Sequence, residues 1–265
     1  MRIAHEAPLT IFDQVQRVTD YDYALVHLFE ENPGYFTKFV EAIEKGRHVI
    51  LDNSVFELEE AFDSDRFLYW INRLNPTEFI IPDVLEDSYS TIQRLDEWID
   101  LYQPRVTTNS KTIGVIQAKN YDDFVWCYNI VAPKVDKIAI SFDYSFFVPK
   151  EYNTELYNKC EMFVLGRRII LRDLVRNKVI DESKPHHLLG CFLPQEFEAY
   201  KSYKWIDTID TSNPVVAGIK GIRYSTRGLT DKPKQKLYTM MNDSLTDTQV
   251  EDIMYNIKMF RGFCE

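Results

Sequence analysis

The sequence predicts an α/β fold of the (β/α)8 TIM-barrel class in a single domain. Eight short apolar runs, each too short for a helix, recur along the chain. Longer stretches with apolar residues at helical spacing separate them. The 265-residue length suits one such barrel, which takes about 250 residues. A doubly wound open sheet is the alternative, but it normally carries a Gly-rich phosphate turn after its first strand, and no GxGxxG occurs.

The runs are 2–4 (RIA), 23–28 (YALVHL), 48–51 (HVIL), 78–82 (EFIIP), 112–116 (TIGVI), 136–141 (DKIAIS), 187–191 (HLLGC) and 204–209 (KWIDTI). Continuous apolar character of this kind marks strands of a parallel sheet buried on both faces. Between them, residues 36–45 place Phe36, Phe39, Val40 and Ile43 on one face, with Gly46 as C′ residue. Residues 64–74 do the same with Phe67, Trp70, Ile71 and Leu74 behind Ser64 as N-cap. Ile92, Leu95, Trp98 and Ile99 mark a helix at 88–101, and 154–177 reads as a longer or broken one. Thr246 and Gln249 form a capping box ahead of Val250, Ile253, Met254 and Ile257. The barrel is expected over about 1–218, followed by a basic loop and helix over about 219–265.

Composition narrows the function classes. With 45% hydrophobic and 27% charged residues the chain is globular rather than disordered. Lys and Arg number 31 against 41 Asp and Glu, a net charge of −10. This disfavours a non-specific nucleic-acid coat but leaves room for a local basic groove. No apolar stretch approaches the roughly 20 residues of a membrane span, and the N-terminus lacks a signal-peptide core. Cys127, Cys160, Cys191 and Cys264 are far apart, which suits a reducing cytoplasm and neither a disulfide framework nor a zinc knuckle. No HxH or HExxH occurs, so no metal and no cofactor is expected; the histidines read as solvated or satisfied core residues.

Barrel chemistry gathers at the C-terminal ends of strands. The residues ending the runs are His5 and Glu6, His27, Asp52, Asp83, Gln117, Ser141, Gly190 and Asp210. Three aspartates converging on one mouth suit acid/base or nucleophilic work. Their structural readings are an Asx-turn for Asp52, a strand-end N-cap for Asp83 and a helix N-cap or turn for Asp210. Gln117 as a buried structural hydrogen-bonding residue is as natural as Gln117 reading a ligand. Basic residues cluster at Arg167-Arg168, Arg172, Arg176 and Lys178, and again at Lys220, Arg223, Arg227, Lys232, Lys234 and Lys236. The second cluster, with Gly218, Gly221 and Gly228, reads as a mobile loop gripping phosphates or as a solvated tail.

The local sequences around these residues are ordered. They are Asp52-Asn53-Ser54-Val55-Phe56-Glu57, Pro82-Asp83-Val84, Gly114-Val115-Ile116-Gln117-Ala118, Leu188-Leu189-Gly190-Cys191-Phe192 with Pro194-Gln195-Glu196, and Asp207-Thr208-Ile209-Asp210-Thr211-Ser212-Asn213-Pro214. In this order, over roughly 48–218, they resemble the strand-end motifs of the tRNA-guanine transglycosylase superfamily. Ser54-Val55 replaces that family's glycine pair, Glu57 its final Gln, and Val215-Val216 follows Pro214 where the family has Arg. The CxCxxC…H zinc site is missing, so the chain looks more like the bacteriophage relatives that insert 7-deazaguanine bases into DNA.

The resemblance implies base exchange at C1′ of a nucleotide, with Asp210 as nucleophile and Asp52 as acid/base. Asp83, Gln117, Gly190, Phe56 and Ser141 would bind the base, with Phe142 and Tyr144 as further aromatic walls. Arg223, Arg227 and Lys232 would grip the nucleic-acid backbone. The implied partners are DNA rather than tRNA and a guanine or 7-deazaguanine base, in the host cytoplasm for a phage protein. Self-association or a partner protein that completes the grip stays open. The alternatives are an N-glycoside hydrolase using the same carboxylates, with water finishing the reaction, and a non-catalytic nucleic-acid-binding barrel.

Overall fold

A computed structural model describes residues 1–142, 146–148 and 156–265. It has the α/β architecture of the (β/α)8 TIM-barrel class, with eight strands in one sheet. The strands are β1 (Arg2–His5), β2 (Asp22–Leu25), β3 (Val49–Asp52), β4 (Glu78–Ile80), β5 (Lys111–Ile116), β6 (Lys137–Ile140), β7 (His186–Leu188) and β8 (Ile206–Thr211). Each falls on one of the eight apolar runs, with no end moved by more than three residues. The α-helices are α1 (Phe12–Gln16), α2 (Leu28–Glu31), α3 (Pro33–Glu44), α4 (Val55–Leu58), α5 (Ser64–Leu74), α6 (Ser88–Glu97), α7 (Tyr121–Val131), α8 (Lys159–Arg176), α9 (Asn213–Ile219) and α10 (Asp247–Cys264).

By contacts the chain divides into two compact units. One holds residues 21–143 and 184–187. Here β2, β3, β4, β5 and β6 pair in sequence, all parallel, with Ile50 beside Glu78 and Ile113 beside Lys137. The pleat then decides the faces. Phe79 packs against Phe67 of α5 and Trp98, so its register partners Leu51 and Thr112 face the helices too. Tyr23, Ile50, Asp52 and Glu78 take the opposite face. Gly114 is required by this packing: a Cβ there would lie 2.6 Å from Val131 and 2.9 Å from Val135.

Local signals set the helix ends. Asn32 accepts from the N–H groups of Gly34 and Tyr35, and Pro33 opens α3 three residues before the predicted start. Gly46, at φ 72°, ends it as expected. Asp63, not Ser64, caps α5 by accepting from Arg66 N–H. The stretch 88–101 is split: α6 ends at Glu97 and a π-helix, Trp98–Tyr102, follows.

The other unit holds residues 1–20, 144–183 and 188–265. In it β1 pairs in parallel with β8, placing Ala4 beside Asp210 and His5 beside Thr211. The predicted helix at 154–177 begins at Lys159, where Asn158 and Glu161 form a capping box; residues 154 and 155 lie outside the described residues. The Thr246–Gln249 box caps α10 as read from the sequence. A Cβ on Gly218 of α9 would lie 2.5 Å from the backbone nitrogen of Ile253 in α10, so the two helices touch backbone to backbone. The C-terminal helix is therefore packed into this unit, with Ile253, Ile257 and Phe260 buried.

Candidate active site

In the first unit Asp52 ends β3. Its Oδ2 accepts from the Tyr23 hydroxyl and its Oδ1 from the N–H of Ser54 at 2.5 Å. The second bond is the Asx-turn anticipated from sequence. It holds Ser54 in the left-handed region at φ 61°, where a β-carbon costs roughly 1 kcal/mol. The Tyr23 ring stacks on His187 at 5.7 Å between centroids and 11° between planes. Two directional donors thus orient the Asp52 carboxylate.

Asp83 and Gln117 also meet, through a bond of 2.7 Å from Gln117 Nε2 to Asp83 Oδ2. Asn53 Nδ2 donates to the other oxygen, Oδ1, at 2.8 Å, and to the carbonyl of Ile81 at 3.0 Å. Asn53 Oδ1 accepts from Val55 N–H, and Gln117 Oε1 accepts from Glu86 N–H. Asp83 is only 2% exposed, and burial pushes its carboxyl above the ordinary range against the pull of these hydrogen bonds. The cavity beside it holds about 10 Å³, room for about one water. Asp83 and Gln117 hold each other, and reading a base with either means exchanging one of these bonds. Ser141 is buried just past β6, Phe56 is 44% exposed on α4, and Phe142 is part-buried. Tyr144 lies outside the described residues.

In the second unit Asp210 lies in β8, 8% exposed. Its Oδ1 accepts from the N–H of Gly190 at 3.1 Å. Gly190, at φ 66°, follows β7. Asp210 is no helix cap: α9 begins after Ser212, whose side chain makes no capping bond.

Arg167 is completely buried and paired with buried Glu196. The helical spacing held the signal, since Cys160, Phe163, Val164, Arg167, Leu171 and Leu174 form one apolar stripe. The loop cluster makes several contacts within its unit. The Gln195 side chain bonds both the C=O and the N–H of Leu229, at 2.6 and 3.1 Å. Arg223 pairs with Asp252 at 2.5 Å and lies over the Tyr255 ring. Lys232 lies 4.6 Å over the Phe192 ring, and burial pushes its ammonium below the ordinary lysine range. Arg227 projects into solvent from the turn closed by Ser225 and Gly228.

One histidine, His5, differs from expectation. His5 is buried against Phe260, and neither ring nitrogen has a hydrogen-bond partner among the described residues. It is neither solvated nor satisfied. His186 is a satisfied core residue, bonded to the Tyr128 hydroxyl and the Lys184 carbonyl. Among the described residues no group of three or more His, Cys, Asp or Glu is arranged to hold a metal, and no helix is long and apolar enough to cross a membrane.

Tyr23, Asn53 and Glu196 are the site residues that sequence reading missed. Pleat parity was the available signal for Tyr23, which precedes Leu25 by two, the register partner of Asp52. No protein-family model matches the chain, and a search of curated proteins finds no relative.

Proposed function

We propose that the chain is a pentosyltransferase that exchanges a guanine or 7-deazaguanine base at C1′ of a nucleotide in DNA. The observation that carries this reading is the contact of Gly190 N–H with the Asp210 carboxylate. It couples two segments, 188–192 and 207–214, that the sequence resemblance picked out separately. The coupling of Asp83 to Gln117 joins two more.

Asp210 is the nucleophile. A carboxylate oxygen bonds to C1′ as the C1′–N9 bond breaks, and the departing base takes the bonding pair and a proton from the acid/base group. The incoming base loses its N9 proton to that group, its nitrogen bonds to C1′, and the ester to Asp210 breaks. The acid/base is Asp52, oriented by Tyr23 and Ser54. Arg227 supplies the exposed cation for a phosphate, while Arg223 and Lys232 are engaged by protein groups.

The test is incubation of DNA, and separately tRNA, with labelled guanine or a labelled 7-deazaguanine, scoring label retained in polymer. Label enters DNA with the native chain, and a denaturing gel shows a protein–DNA adduct that Asp210→Asn does not form. An adduct formed by the Asn variant overturns the nucleophile assignment. Release of free base without incorporation means hydrolysis.

A further inference from the structure

A fully buried ion pair contributes little to stability, because desolvation of both charges offsets their attraction. The Arg167–Glu196 pair, with both side chains wholly buried, therefore calls for another role. Its hydrogen bonds supply one. Arg167 Nε and Nη2 both donate to the Glu196 carboxylate, the latter at 2.9 Å, and Tyr200 O–H donates to the same carboxylate at 2.6 Å. With the fork held in this way, Nη1 donates to the carbonyl of Leu189 at 3.0 Å and Nη2 to the carbonyl of Gly190 at 3.2 Å.

The Leu189 carbonyl and the Gly190 N–H belong to one peptide unit. The peptide is trans, so its oxygen and hydrogen point in opposite directions. Arg167 holds the oxygen end, and the hydrogen end donates to Asp210 Oδ1. Rotation of this peptide, which the left-handed Gly190 would otherwise permit, loses both bonds together.

We infer that Arg167 is the positioning residue of the Asp210 site: fixed by Glu196, it clamps the 189–190 peptide so that its N–H is aimed at the Asp210 carboxylate. Its effect on catalysis rests on the reading of Asp210 as nucleophile; the positioning itself does not.

The test uses the full chain labelled with 15N-glycine. It gives at most nine backbone glycine signals, and Gly190 is assigned by its loss in Gly190→Ala. In the native background Asp210→Asn moves the Gly190 amide upfield, because a carboxylate acceptor is replaced by a weaker one. The double variant Arg167→Met/Glu196→Leu removes both charges together, so that no buried charge is left unpaired. In it, Asp210→Asn leaves the Gly190 signal in place, and adduct formation slows by about 10- to 100-fold in kcat with KM little changed. Arg167→Lys, which keeps the charge and loses the fork, carries the same comparison should the double variant not fold. A Gly190 shift on Asp210→Asn of native size in the charge-free background overturns the inference. Loss of the shift in a chain whose native form makes no adduct keeps the clamp and rejects the nucleophile.

Discussion

At the scale of single residues, Asp83 is the most informative. Its two oxygens face two amide donors, and those amides spend their own oxygens on Val55 and Glu86 N–H groups. Asp83→Asn puts a third amide among them, so a donor meets a donor unless Asn53 or Gln117 flips and abandons its backbone partner. We expect a loss of about 1–3 kcal/mol in urea unfolding, since a buried donor is left unsatisfied. A variant as stable as the native chain contradicts the network. The residue type at 83 and its place after a strand were legible in the sequence. Its partners were not, because Asn53 and Gln117 lie 30 and 34 residues away.

At the scale of elements, the strand starts of the 21–143 unit carry a second buried charge cluster. Lys137 Nζ and His48 Nε2 both donate to Glu78 Oε2, at 2.6 and 3.0 Å. Burial pushes the Glu78 carboxyl up, but the bonds and charges of His48 and Lys137 outweigh it and hold it below the usual range. Lys137→Met leaves that carboxylate short of its cation and should cost about 3–5 kcal/mol in urea unfolding. Lys137→Met/Glu78→Leu should recover most of the loss; equal loss in both variants would mean the damage is steric. Helix ends were more legible than helix partners. Thr246–Gln249 and Gly46 act within one turn of chain and were readable directly. Asp63 displaced Ser64 because either residue type caps well and the packing of Phe67 sets the start.

At the scale of the whole chain, acid sensitivity follows from buried histidine. Burial, and then the positive charge of Arg261, push His5 down to about 3 from 6.5, and burial pushes His27 to about 4. Between 6.5 and 3 the unfolded state binds the His5 proton and the folded state does not, so stability falls as pH drops. At pH 4.5 the His5 share of the loss is about 2–3 kcal/mol. His5→Leu should flatten the decline of the urea midpoint between pH 7 and 4.5. A decline as steep as that of the native chain would place the acid sensitivity elsewhere.

The sequence by itself determined the fold class, the eight strands and the helix ends at Gly46 and Thr246–Gln249, because periodicity and caps are local and each strand is too apolar to lie anywhere but inside. It also marked Asp52, Asp83, Gln117, Gly190 and Asp210 as strand-end residues. Only the tertiary structure decided what those residues touch. Arg167 is buried against Glu196, Asp83 became the centre of a closed network, and Arg223 was taken up by Asp252. The physical reason is common to all three. A polar side chain leaving water must find its partner in space, and strand register and helix packing bring that partner from far along the chain.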